Sequence, residues 1–177
     1  GIARRARNGM MAPIVTSVPH GMEKPGPLAF FGAQFDRQIA AGQYELNPFE
    51  RMALPYMKGN VLDLGCGLGN LTIAAARQGA RVTAIDACGN AVDDLAQRAI
   101  DLDLPVWARR VDLEGWRPDE RWDTVACIGL LMFFARRGAL AGLDAVADAV
   151  RPGGHAIVNV LVEGTTYRDM FDPDRHH

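Results

Sequence analysis

The sequence is short of the residues that mark secreted, metal-binding or membrane proteins. Only three of its 177 residues are cysteine. Cys66, Cys88 and Cys127 form no CxxC pair and have no histidine spaced to join them, which argues against a disulfide framework or a zinc site and for reduced thiols in a cytosolic compartment. No apolar run approaches the roughly 20 residues that cross a bilayer, and no apolar h-region lies near the start. Nor is there an excess of one charge: 19 Lys and Arg against 21 Asp and Glu leave a net charge of -2, which gives no electrostatic reason to expect nucleic acid. What remains is one globular domain, long enough for a sizeable core, with a small-molecule partner.

The informative stretch is Val61-Leu62-Asp63-Leu64-Gly65-Cys66-Gly67-Leu68-Gly69-Asn70. An apolar run of strand length breaks into three glycines at alternate positions and gives way to Leu71-Thr72-Ile73-Ala74-Ala75-Ala76, of helical composition. Strand, tight turn and helix follow in order. Glycines at 65, 67 and 69 remove the β-carbons that would keep a ligand off the backbone, and the helix start offers unpaired N–H groups. Asp63, an acid inside the apolar run, is costly to bury without a hydrogen bond; it is expected to fix the loop or receive an ammonium group.

Two cofactor classes use such a turn. A dinucleotide site wants G-x-G-x-x-G, but here the sixth position is Asn70 and the third glycine comes one place early. Read from Asp63, the pattern is D-x-G-x-G-x-G. A second apolar run, Arg81-Val82-Thr83-Ala84-Ile85, ends in Asp86, about twenty residues beyond the first glycine, where an acid can accept both ribose hydroxyls. These residues resemble motif I and the following acid of the class I S-adenosylmethionine-dependent methyltransferases. The resemblance implies that S-adenosylmethionine is the cofactor. It implies contacts from Asp63, Gly65, Cys66, Gly67 and Asn70 in the first loop, from Asp86 and Ala87 after the second strand, from Asp112 and Leu113 after the third, and from Ile128 in the fourth. Within that set Asp63 would serve the loop and ammonium, Gly65 and Gly67 close approach, Asp86 the ribose and Asp112 the adenine.

The rest of the chain fits that frame. Residues 1 to 27, with Arg4, Arg5, Arg7 and many prolines and glycines, read as an unstructured or expression-derived arm. Residues 28 to 177 read as the cofactor-binding domain. Leu28, Phe30, Phe31, Phe35 and Ile39 recur at helical spacing, and a second helical segment runs from Asn47, an N-cap followed by Pro48, to Met57. By resemblance these helices cover the cofactor mouth, with Phe31, Phe35 and above all Tyr44 as lid residues. Helices are then expected at about 70–78, 89–101 and 138–150, and strands at 81–85, 105–111, 123–129 and 155–161. This alternation of apolar strands and helices predicts an α/β, Rossmann-like, doubly wound parallel sheet whose ligand sits at the carboxyl ends of the first and fourth strands. Ile128 and the run Leu130 to Phe134 would wall that site. His155 opens a strand and reads as structural.

Arg151-Pro152-Gly153-Gly154 resembles the turn before the last parallel strand of the same superfamily. With residues 159 to 167 and the Leu130 to Phe134 run, it is similar to the tellurite-resistance-type branch of small methyltransferases. The superfamily sheet has seven strands, and only five are expected here, so acceptor and catalytic residues from the final hairpin have no counterpart positions and no catalytic residue is assigned. Strand five, lacking proline and lysine over 155–161, is expected to be an exposed apolar edge that recruits other strands, offering a route to oligomers. The expected activity is methyl transfer to a small-molecule acceptor. The alternatives are an NAD-dependent oxidoreductase, which would share Asp86, and a non-catalytic cofactor-binding module.

Overall fold

A computed structural model describes residues 26 to 160. The chain begins with α1 (Pro27–Ala40) and α2 (Pro48–Ala53), and a 3-10 turn (Leu54–Tyr56) leads into β1 (Asn60–Leu64). There follow α3 (Asn70–Arg77), β2 (Arg81–Asp86), α4 (Gly89–Asp101), β3 (Val106–Arg110), β4 (Trp122–Cys127), a 3-10 turn (Leu131–Phe133), α5 (Arg136–Ala149) and β5 (Val150–Val158). All five strands run parallel in the order β3-β2-β1-β4-β5. The order reverses at β1, as the alternation of elements predicts, and a crevice opens beyond the carboxyl ends of β1 and β4.

The side chains of β1 explain its central place. Val61 and Leu62 are fully buried and belong to different core clusters, one on each face of the sheet, as the two-residue period of a strand requires. Leu71, Ile73 and Ala75 of α3 and Leu95 and Ala99 of α4 close over the Val61 side. Val146 and Ala149 of α5 close over Leu62, Leu64 and Ile85. Asn47 caps α2 as expected: its Oδ1 accepts from the Glu50 amide at 2.9 Å, and the Glu50 carboxylate accepts from the Asn47 amide at 2.7 Å. The helix is shorter than the pattern suggested. Pro55, with no N–H to donate, falls in its continuation, and the chain tightens into a 3-10 turn.

The largest departure from expectation is at β5. Arg151-Pro152-Gly153-Gly154 is not a turn ahead of the strand but lies within it. Trp122 pairs with Val150 and Thr124 pairs with His155, so the extra residues bulge out between these two rungs. Gly153 supplies the left-handed φ of +80° the bulge needs, and the Arg151 guanidinium forms an ion pair with Asp123. The strand therefore carries a proline and a bulge in its first half, two devices that blunt an edge, ahead of the stretch from His155 where the apolar edge was expected. It ends at Val158 instead of Leu161, and Leu161 lies outside the described residues, as do residues 1–25 and the remainder of the 159–167 motif. Among the described residues no helix is long and apolar enough to cross a membrane.

Asp63 sits inside this core. It is 4 % exposed, and its Oδ2 accepts a 2.6 Å hydrogen bond from the buried Thr72 hydroxyl on α3. Burial pushes its carboxyl up to about 7; the Thr72 bond opposes that rise, and the negative charges of Glu50 and Asp86 add to it. A carboxyl raised in the folded state binds a proton there that the unfolded chain has already released. The contribution of Asp63 to stability should thus be fullest below pH 4, fall as pH rises to about 7, and level off above. Asp63→Asn, whose carbonyl still accepts from Thr72, should abolish this slope. The variant should gain on the wild type between pH 4 and 7 by up to about 4 kcal/mol, the free energy that corresponds to lifting a carboxyl from its ordinary range to neutrality. Urea denaturation of both proteins across that range checks it, and parallel pH curves would refute the buried-charge account.

Candidate functional site

The loop after β1 is tied down atom by atom. The amides of Gly65 and Cys66 both donate to the carbonyl of Ile85 on β2, at 2.8 and 3.1 Å, and the amide of Gly69 donates to the carbonyl of Cys66 at 2.8 Å. Gly65, Gly67 and Gly69 all have left-handed φ, at +76°, +52° and +67°. Their reasons differ. A β-carbon at Gly65 would lie 3.1 Å from Leu130, and one at Gly67 would lie 3.1 Å from the Phe35 ring, whereas one at Gly69 would run into the Leu95 side chain of α4. The first two glycines open space on the cavity side. The third lets α4 pack against the start of α3, the part played by the last glycine of a dinucleotide turn but reached one residue earlier.

Asp86 closes β2 and holds the loop from the other side. Its Oδ2 accepts from the Gly67 amide and its Oδ1 from the Cys88 amide, each at 2.8 Å, and it is 8 % exposed. Two backbone donors thus fix both carboxylate oxygens, and each oxygen keeps acceptor capacity for a further partner. After β3, the Asp112 carboxylate accepts from the Glu114 amide at 3.1 Å.

These elements enclose a cavity of about 530 Å³. Of the residues expected from the sequence, Gly65, Gly67, Asp86, Ala87, Asp112 and Leu113 line it. Asp63, Cys66, Asn70 and Ile128 are not in its wall. Asp63 is held under the loop by Thr72. Cys66 turns its thiol toward the Gly67 carbonyl, the Asn70 amide reaches back to the Glu45 carbonyl at 3.4 Å, and Ile128 packs against the core on the α3 side of the sheet.

The opposite wall is aromatic. Phe31 and Phe35 of α1 face the cavity together with Phe133 and Phe134, and Phe31 meets Phe133 edge to face with centroids 4.8 Å apart. The lid expected from α1 and the wall expected from residues 130–134 are thus one surface. Tyr44 is not part of it, contrary to expectation. Its hydroxyl donates to Asp94 Oδ1 at 2.9 Å and its ring lies 4.1 Å beneath the Arg98 guanidinium, a position set by α4. Sequence reasoning passed over Cys88 and Glu114, which also line the cavity. The signal for both was proximity, each lying two residues past an acid already singled out.

None of the three thiols suits nucleophilic chemistry. Burial pushes Cys88 and Cys127 up to about 12 and raises Cys66 well above the ordinary thiol range, so all are protonated at neutral pH. His155 is a structural residue, as expected, with Nε2 3.0 Å from the Tyr56 carbonyl.

Comparison with known proteins agrees with this architecture. A ubiquinone biosynthesis O-methyltransferase from Alkalilimnicola ehrlichii is 33% identical over 103 residues, covering 57% of this chain and 41% of that protein. The chain spans about half the length, or less, of the curated relatives it matches first. Among solved structures, a DhpI-SAH complex superposes with a TM-score of 0.59 at 26% identity, covering 74% of this chain and 65% of that one. TehB from Haemophilus influenzae superposes with a TM-score of 0.61 at 20% identity, covering 68% and 43%; at that identity the likeness is one of fold. The family model described as a methyltransferase domain matches residues 61–154, from β1 through the bulge of β5. Together, the glycine turn, the acid that pins it and this match place the chain in the methyltransferase-domain family.

Proposed function

We propose that this chain binds S-adenosylmethionine and catalyses methyl transfer to a small acceptor. The observation that carries the reading is Asp86: a carboxylate at the cavity wall, oriented by the amides of Gly67 and Cys88, with acceptor capacity left on both oxygens. A ribose diol offers two hydroxyl donors and fits that arrangement. Gly65 and Gly67, without side chains, leave room beside it for an amino-acid moiety, and Ala87 and Leu113 offer apolar contact to an adenine ring whose amino group Asp112 would accept. The bound structure of DhpI with SAH supports the same cofactor. Asp63 anchors the start of α3 through Thr72, and an ammonium contact through it requires the loop to move.

The cofactor supplies an electrophilic methyl group on a sulfonium, so the protein need only orient the acceptor and keep the site dry. Orientation and exclusion of water of this kind lower barriers by roughly 7 to 11 kcal/mol. Phe31, Phe133 and Phe134 offer an apolar wall for the body of the acceptor. An oxygen acceptor on an apolar frame fits that wall and agrees with the O-methyltransferase relatives. A soft anion would need no base. The same reading takes the protein to be cytoplasmic, with no nucleic-acid partner, and makes the β5 edge the surface through which copies would associate. The NAD alternative is disfavoured by the glycine phase: the third glycine stands at 69, one residue before the place G-x-G-x-x-G requires, and Asn70 occupies that place.

Titration calorimetry with S-adenosylhomocysteine and NAD side by side should show micromolar or tighter binding of the first and none of the second; the reverse result would sink the proposal. Asp86→Ala should weaken S-adenosylhomocysteine by about 1.5 to 3 kcal/mol, the range for hydrogen bonds to a charged group. An unchanged dissociation constant in a folded variant would remove the ribose assignment. Gly67→Val should abolish binding while circular dichroism still reports the sheet. The residue would be strained at φ +52°, and its side chain would press on Phe35 and enter the cavity. Normal binding by that variant would place the cradle elsewhere.

A further inference from the structure

The loop is gripped from a third direction by a residue outside the cavity. Arg98, two turns into α4, donates through Nη2 to the carbonyl of Leu68, between the second and third glycines. Its Nε donates to Asp94 Oδ2 at 2.8 Å, one turn earlier on the same helix. The same guanidinium lies 4.1 Å over the Tyr44 ring, and Tyr44 donates its hydroxyl to the other oxygen of Asp94 at 2.9 Å. One planar, five-donor group therefore joins the glycine loop, helix α4 and the linker between α1 and α2. The arrangement needs the fixed fork of arginine: one edge of the guanidinium meets the carboxylate, the other reaches the loop, and the flat face covers the ring.

The linker matters because α1 carries Phe31 and Phe35. Near its middle α1 is held to α4 by Asn90, whose amide donates to the Gly32 carbonyl at 2.9 Å and to Asp36 at 2.8 Å. Beyond its end the linker is held by Tyr44. Asp86 fixes the Gly67 amide from the β2 side, and Arg98 fixes the carbonyl of the following residue, Leu68, from the α4 side. The peptide between Gly67 and Gly69, which has little conformational preference of its own, is thereby held at both its N–H and C=O ends.

We propose that Arg98 is a positioning residue for cofactor binding: through the Leu68 carbonyl it sets the Gly67–Gly69 backbone, and through Tyr44 it ties that backbone to the aromatic lid. The inference rests on the cofactor site proposed above. Arg98 touches no reacting atom, so its signature is a weaker cofactor complex and a looser loop in a protein that remains folded.

The test compares wild type, Arg98→Ala and Arg98→Lys by calorimetric titration with S-adenosylhomocysteine, by hydrogen exchange of the peptide covering residues 64–70, and by thermal unfolding. Arg98→Ala should raise the dissociation constant roughly tenfold, the effect of losing charge-assisted hydrogen bonds, and should speed exchange in that peptide. Arg98→Lys keeps the charge but loses the fork and should fall between the two. A purely structural role would lower the unfolding midpoint with binding and loop exchange as in the wild type, and that result overturns the proposal. If Arg98→Ala does not fold, Asp94→Asn, which loosens the guanidinium without removing it, should weaken binding about threefold, and an unchanged constant there also overturns it. If the wild type fails to bind S-adenosylhomocysteine, the cofactor reading falls and this inference falls with it.

Discussion

The site depends on one carboxylate accepting two backbone amides. Asp86 ends β2, and its oxygens take the N–H groups of Gly67 in the preceding loop and Cys88 at the start of α4. Glycines permit the left-handed turn between β1 and α3 but do not choose it, because a glycine loop has many accessible conformations. The choice comes from the charge. A nearly buried carboxylate must find donors, and the donors within reach belong to the loop that must be ordered. Cost and remedy thus sit in the same few atoms.

Around that anchor, the two acids of the region have separate tasks. Asp63 and Asp86 lie toward the ends of neighbouring parallel strands, and the negative charge of Asp86 adds to the cost of ionising Asp63. Asp86 meets two amide donors and stays at the cavity wall; Asp63 meets a hydroxyl and is held below the loop, where burial lifts its proton affinity into the neutral range. Two similar residues in similar sequence contexts therefore differ because one faces ligand space and the other faces the α3 helix.

Much of this was legible in the residues. The glycine phase, the apolar strand runs and the acid after the second strand sufficed to place β1, β2 and their loop, and the order of elements predicted the sheet order. Those signals are local, or follow from rules about parallel crossovers. What was not legible depended on partners distant in sequence. Tyr44 stands in a polar linker and looked free to serve a ligand, until α4 supplied Asp94 and Arg98 fifty residues later. Arg151-Pro152-Gly153-Gly154 has the composition of a turn. Whether it lies before a strand or inside one is decided by Trp122 pairing with Val150, a register no local pattern encodes. Ile128 follows the apolar strand β4, and its side chain took the core face where the cavity face was expected.

The strand order has a consequence for how the cavity comes into being. β1 is central, and its partner on one side is β2, about twenty residues on, while on the other side Val61 pairs with Thr124, with two whole strand-helix units between them. Closing so long a stretch of chain is entropically expensive and is compensated only once the pairing is complete. The glycine loop and Asp86 can find each other within a short local unit. The Leu130 to Phe134 wall cannot exist until β4 docks. A nascent or partly unfolded chain can therefore present half a cradle, with Phe31 and Phe35 of α1 but without the Leu130 to Phe134 wall, and a ligand that spans both halves would act as a brace, holding the second half of the chain against the first.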